Sequence, residues 1–152
     1  MNRYLMCKPV VQSLVVAINR LIANSQWSDG PEIELYHDLA DGELRPALQI
    51  PVLCIVRELV LNACRHSKSR RILVGVAQDD THIYIQVQDW GVGFDSMAVA
   101  QNGWGLKKVH QSAQWLGGTV DIDTQTGNGT CVVVEIPLLR GNELLAPCLD
   151  AG

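Results

Sequence analysis

The chain has 152 residues, of which 47% are hydrophobic and 18% charged; this balance suits one globular domain with a real core and excludes intrinsic disorder. A formal net charge of -4 and a pI near 5.5 give no electrostatic basis for nucleic-acid binding, the basic cluster from Arg65 to Arg71 being the local exception. No apolar run approaches the roughly 18 residues of a membrane span, because Gln12, Ser13, Asn19 and Arg20 interrupt the segment from Val10 to Ile22.

Val11, Leu14, Val15, Ile18, Leu21 and Ile22 recur at helical spacing, so residues 8 to about 25 are expected to form a first helix, with Pro9 at its start. Ser28, Asp29, Gly30 and Pro31 mark a turn. Residues 32–39 alternate Ile33 and Leu35 (with His37 in phase) against polar neighbours, the pattern of a strand. Asp41, Gly42 and Pro46 mark a loop. A second helix is expected over residues 47–66, with Leu48, Val52, Ile55, Val56, Leu59 and Ala63 as its apolar stripe. Pro51 suits its first turn, or separates a short preceding turn. Residues 70–77 and 82–89 form two strands of a hairpin, joined through Gln78, Asp79, Asp80 and Thr81. Residues 94–102 lack a pattern and are read as a short loop. Leu106, Val109, Ala113 and Leu116 give a third helix, closed by Gly117 and Gly118. Residues 119–123 and 130–136 form a last hairpin through Thr126, Gly127, Asn128 and Gly129. The order predicts a two-layer α/β sandwich, with a mixed sheet of about five strands and three helices on one face. One domain is expected over residues 1–137, followed by a tail over 138–152.

Five cysteines, Cys7, Cys54, Cys64, Cys131 and Cys148, form no Cys-x-x-Cys pair. They are expected to be buried, reduced thiols, with no zinc site.

The chemistry is concentrated in three stretches. Glu58 and Asn62 are four residues apart on a helix and therefore share a face. Asp89 ends a strand whose Ile83, Ile85 and Val87 point to the core, so its carboxylate falls in phase with them. A carboxylate there is costly without partners, which makes Asp89 a better site candidate than a surface acid. Gly91 and Gly93 follow it, and Gly103 and Gly105 open the third helix. Glycines permit close backbone approach and a helix N-terminus favours anions. These parts suggest a pocket for a nucleotide and its metal ion.

In this order the residues resemble the GHKL ATPase superfamily, which includes DNA gyrase, heat-shock chaperones, sensor histidine kinases and MutL. Glu58 through Asn62 and Ala63 resembles its N box. Asp89, Gly91 and Gly93 resemble the first glycine box, Gly103, Gly105 and Leu106 the second, and Gly129-Thr130 the terminal Gly-Thr element. The likeness covers residues 32–137 and implies the Bergerat ATP-binding fold. Arg57-Glu58, then Asn62, Arg65, His66 and Ser67, are most similar to sensor histidine kinases that partner helix-turn-helix response regulators. The short segment between the glycine boxes, and Leu116-Gly117-Gly118, point the same way.

The resemblance implies ATP and Mg2+ as ligands, with Asn62 as the magnesium ligand through its hard carboxamide oxygen. Glu58 is implied as the general base toward a histidine imidazole. Arg65 and His66 are implied at the phosphates, with Lys107 and Lys108 as further cations. Asp89 is implied to accept a hydrogen bond from the adenine amine, and Thr130 to support it. Gly91 and Gly93 would let the chain turn beneath the base. Backbone amides at Gly103, Gly105 and Leu106 would face the phosphates. Trp90 and Trp104 would pack on the nucleotide or within the fold. Nothing here matches the hairpin that carries the phosphoacceptor histidine in such kinases; His37 lies on a strand instead. The chain is therefore expected to be the cytoplasmic catalytic domain of a larger kinase, or a stand-alone relative. Its partners would be that dimerising hairpin and, indirectly, a response regulator, with no nucleic acid and no membrane contact; as a fragment it would be monomeric. The competing readings are an anti-sigma-type serine kinase and a non-catalytic nucleotide-binding module.

Overall fold

The computed structural model describes residues 14–23, 30–39, 44, 46–93 and 106–138. Its elements are α1 (Leu14–Ile22), β1 (Glu32–Leu39), α2 (Pro46–Asn62), β2 (Arg71–Gln78), β3 (His82–Asp89), α3 (Leu106–Trp115), β4 (Thr119–Gln125) and β5 (Gly129–Pro137). The five strands form one sheet in the order β1-β2-β3-β5-β4. β1 pairs parallel to β2, and the other neighbours are antiparallel. This is the expected mixed sheet with both hairpins.

Alternation decides which face of the sheet is covered. Ile72, Val74 and Val76 of β2, Ile83, Ile85 and Val87 of β3, and Val132, Val134 and Ile136 of β5 are all buried. Register aligns them into cross-strand rows: Val76 beside Ile85 beside Val134, then Val74 beside Val87 beside Val132. The three helices cover this face. Leu14 and Ile18 come from α1, Leu48, Val52, Ile55, Val56, Leu59 and Val60 from α2, and Leu106, Val109 and Ala113 from α3. Fully burying one such side chain contributes about 1.5–3 kcal/mol, so these rows dominate the stability. Between the rows, Tyr84, Gln86 and Gln88 look out from the opposite, half-exposed face.

Helix α3 ends as its glycines predict. Gly118 N–H donates to Ala113 O at 2.7 Å and Gly117 N–H to Gln114 O at 3.0 Å. Gly117 has φ +74°. This is the Schellman closure, in which a left-handed residue satisfies the last carbonyls.

Several expectations change. Pro46 begins α2 rather than lying in a loop, and Pro51 sits within one continuous helix. The α-helical part stops at Asn62, and a π-helical turn runs from Ala63 to Ser67, ending at Lys68 with φ 57°. Ala47–Ser67 is, by length and composition, long and apolar enough to cross a membrane, contrary to the absence of such a run read from the sequence. Within the fold its apolar stripe is turned onto the sheet. Cys54 is exposed, and Cys64 and Cys131 are half-buried; all three are free thiols. They are therefore less buried than expected. His37 is exposed on β1. The expected turn at Ser28-Asp29, the loop at Asp41-Gly42, the segment 94–102 and the tail beyond residue 138 lie outside the described residues.

Truncating the central row tests this layering. Ile85→Ala should cost about 2–5 kcal/mol in urea denaturation, whereas Ile50→Ala should stay within about 0.5 kcal/mol, because Ile50 is 71% exposed.

Candidate functional site

The site begins where the covered face of the sheet turns polar. The row after Val74, Val87 and Val132 reads Ile72, Asp89, Thr130 and Thr124. Asp89 occupies the core-facing position that strand periodicity predicts and is 6% exposed. Burial raises the pKa of its carboxyl above the ordinary value, while backbone hydrogen bonds from Gly91 and Thr130 act against that rise. The Gly91 amide donates to Asp89 Oδ1 at 2.9 Å. The Thr130 hydroxyl is engaged laterally, with Thr124 Oγ1 at 2.9 Å. Thr130 thus supports Asp89 through its backbone N–H.

The turn after Asp89 is gripped from both sides. On one side, Val92 N–H donates to Ser67 O at 2.7 Å, and on the other Gly127 N–H donates to Val92 O at 2.6 Å. A Cβ on Gly91 would run into the carbonyl of Ser67, and one on Gly93 into the carbonyl of Gln125. Gly93 also has φ +61°, which side chains rarely adopt. Both glycines are therefore required by neighbouring protein backbone.

Ser67 belongs to the turn that continues α2 beyond Asn62, so this contact brings the end of α2 to the end of β3. Asn62 is half-buried at the last α-helical position. Its Nδ2 is a buried polar atom with no hydrogen-bond partner among the described residues. A half-turn of the carboxamide exchanges nitrogen and oxygen, so that position can present either a donor or a hard oxygen ligand. Glu58, also half-buried, lies one turn earlier on the same helix. The two share a face as expected.

Arg65 and His66 are exposed on the π-helical turn. Because this turn is wider than an α-helical one, they do not simply continue the α-helical face of Glu58 and Asn62. His66 is held below its ordinary pKa by desolvation and by the charge of Arg65. Leu106 sends its side chain into the core, and Lys107 and Lys108 are exposed beside it. Only the backbone of Leu106 is thus left for a ligand. Gly103, Trp104 and Gly105 lie outside the described residues. Trp90 alternates to the other face of the sheet, where the guanidinium of Arg71 lies 5.1 Å from its ring centroid. That guanidinium also pairs with Glu34, with Nε 2.6 Å from Oε1. Sequence reasoning named Ser67 only as part of the family likeness, with no role, and missed Ser69 and Thr124; the Ser67-Lys68-Ser69 run before a strand was the available signal.

Comparison with known proteins shows the family and the fold. Residues 48–140 match the family of histidine kinase-, DNA gyrase B-, and HSP90-like ATPases. The sensor protein VraS of Staphylococcus haemolyticus (strain JCSC1435) is 25% identical over 111 residues, covering 73% of this chain and 32% of that protein. The signal transduction histidine-protein kinase/phosphatase DegS of Bacillus subtilis (strain 168) is 30% identical over 101 residues, covering 64% of this chain and 26% of that protein. The chain thus spans about a third or less of these curated relatives. The histidine kinase domain of the Erythrobacter litoralis EL346 blue-light activated histidine kinase has the same fold, with a TM-score of 0.61, 22% identity, and coverage of 86% of this chain and 60% of that one.

Two outcomes test the geometry without any ligand. Gly91→Ala should lower stability by about 1–3 kcal/mol in chemical denaturation, because it forces backbone apart. For Asp89, a raised folded-state pKa means that its favourable contribution is present at low pH and lost as pH rises through that pKa. Asp89→Asn should therefore gain stability relative to wild type as pH is raised from about 4 to 7, measured as the difference between two denaturation series.

Proposed function

Because the chain belongs to the histidine kinase-, DNA gyrase B-, and HSP90-like ATPase family and is thereby a nucleotide-binding domain, we propose that it is the catalytic domain of a sensor histidine kinase. It binds ATP with magnesium and transfers the γ-phosphoryl group to a histidine on a separate dimerising hairpin. The relatives that carry the words sensor and histidine-protein kinase support this reading. The observation that carries it is the buried Nδ2 of the Asn62 carboxamide, which has no hydrogen-bond partner among the described residues, on the helix whose following turn is hydrogen-bonded to the turn after Asp89. The transfer takes place in the cytoplasm, where ATP is supplied, and a response regulator receives the phosphoryl group afterwards.

Each residue has a separate task. Asp89 accepts a hydrogen bond from the exocyclic amine of adenine; guanine offers a carbonyl there, which an ionised carboxylate rejects. Asn62 holds the metal, which when bound neutralises charge on the triphosphate oxygens. Arg65, His66, Lys107 and Lys108, all exposed, are the candidate phosphate contacts, together with the backbone amides at the start of α3. Glu58, one turn from Asn62, orients the acceptor imidazole and takes its proton. The chemistry is chiefly positioning and charge stabilisation.

Titration of MgATP separates these tasks. Asp89→Asn should weaken binding about tenfold to hundredfold. Asn62→Ala should weaken it in magnesium but alter it little in excess EDTA. Unchanged affinity in both variants would defeat the assignment. Glu58→Gln should bind normally, yet phosphorylate a supplied histidine hairpin about 100- to 10,000-fold more slowly. The product should be acid-labile; an acid-stable phosphoserine would indicate a serine kinase instead.

A further inference from the structure

The Asp89 turn is shaped by a short serine-bearing segment that no nucleotide role has absorbed. Ser67 is buried. Its hydroxyl donates to Ala63 O at 2.6 Å and accepts from Ser69 N–H at 3.0 Å. These bonds close the π-helical turn and fix the direction of the Ser67 carbonyl. That carbonyl accepts from Val92 N–H at 2.7 Å, and Gly91 packs against it. Ser69 repeats the pattern one step along: its Oγ accepts from Trp90 N–H at 3.2 Å and from Arg71 N–H at 3.2 Å. The same hydroxyl donates to Arg71 O at 2.6 Å. Trp90, Gly91 and Val92 are therefore all seated on residues 67 and 69.

Between Trp90 and Val92 lies the amide of Gly91, the donor to Asp89 Oδ1. A backbone donor can only be aimed by the residues that hold its peptide. We propose that Ser67 and Ser69 are positioning residues for base recognition. They hold the Trp90–Val92 backbone in the arc that points the Gly91 amide at Asp89, and so set the affinity and the adenine preference of the site. This inference rests on the nucleotide reading above. Without the serines the carboxylate loses an aligned amide, and its remaining acceptor positions drift relative to a bound base. The same segment begins at the turn following Asn62, so base recognition and metal ligation share one support.

The test uses the 152-residue chain. Binding of MgADP and MgGDP is measured by calorimetry for wild type, Ser69→Ala, Ser67→Ala, Ser67→Thr and Asp89→Asn, with a thermal melt for each. Ser69→Ala and Ser67→Ala should weaken MgADP roughly 3- to 10-fold and MgGDP less, lowering the adenine preference. Ser67→Thr keeps the hydroxyl and should restore the wild-type ratio. If both alanine variants lower Tm yet leave the ADP-to-GDP ratio unchanged, while Asp89→Asn lowers it, the serines serve folding alone and the inference fails. Wild type that binds no adenine nucleotide would overturn the nucleotide reading and this inference with it. Ser69 is half-buried, so its variant remains informative if Ser67→Ala does not fold.

Discussion

One buried carboxylate constrains this end of the molecule. Asp89 completes a core-facing series of Ile83, Ile85 and Val87, where an ionised group is desolvated and disfavoured. It is tolerated because backbone amides of Gly91 and Thr130 supply hydrogen bonds. An amide is not adjustable like a long side chain, so the chain around it has to be shaped to deliver it. That requirement accounts for Gly91 and Gly93, for the Gly127 contact to Val92, and for the seat on Ser67. Stability is given up locally to keep a carboxyl group in a dry place.

The two halves of the site come from distant parts of the chain. Asn62 and Glu58 ride on α2, the central helix of the covering layer, whose Val52, Val56 and Val60 are completely buried. Asp89 rides on β3, whose neighbours β2 and β5 hold it in register on both sides. Each half is therefore rigid alone. They meet through the Ser67 to Val92 hydrogen bond and the packing of Gly91. Small backbone contacts set their mutual distance, while the large apolar rows fix the elements themselves.

Much of this was legible from residue spacing. A period of two along β3 predicted the burial of Asp89, since a strand cannot turn one side chain without slipping all of them. A period near 3.6 predicted the buried stripe of α2, and paired glycines predicted the end of α3. Other features were hidden for physical reasons. The π-helical turn after Asn62 depends on a hydroxyl bonding back to Ala63 and on contacts with β3, neither of which leaves a periodic trace. Trp90, considered a possible nucleotide contact, faces the other side because alternation continues past Asp89; its neighbour Arg71 could be found only from the sheet register. The hydroxyl of Thr130 turned to Thr124, its cross-strand neighbour, a pairing that required knowing how β4 and β5 align. Gly103 and Gly105 were legible as a motif, and their placement lies outside the described residues.

The position of β1 has a practical consequence. It flanks β2 with eight paired residues, yet it lies before the segment 48–140 that defines the family match. Trimming the chain to that segment would strip one side of β2 and leave its peptide groups open to water. Such a bare margin recruits strands from other molecules. A shortened version designed on homology alone should therefore aggregate through Arg71–Gln78, and the smallest well-behaved piece has to start upstream of Glu32.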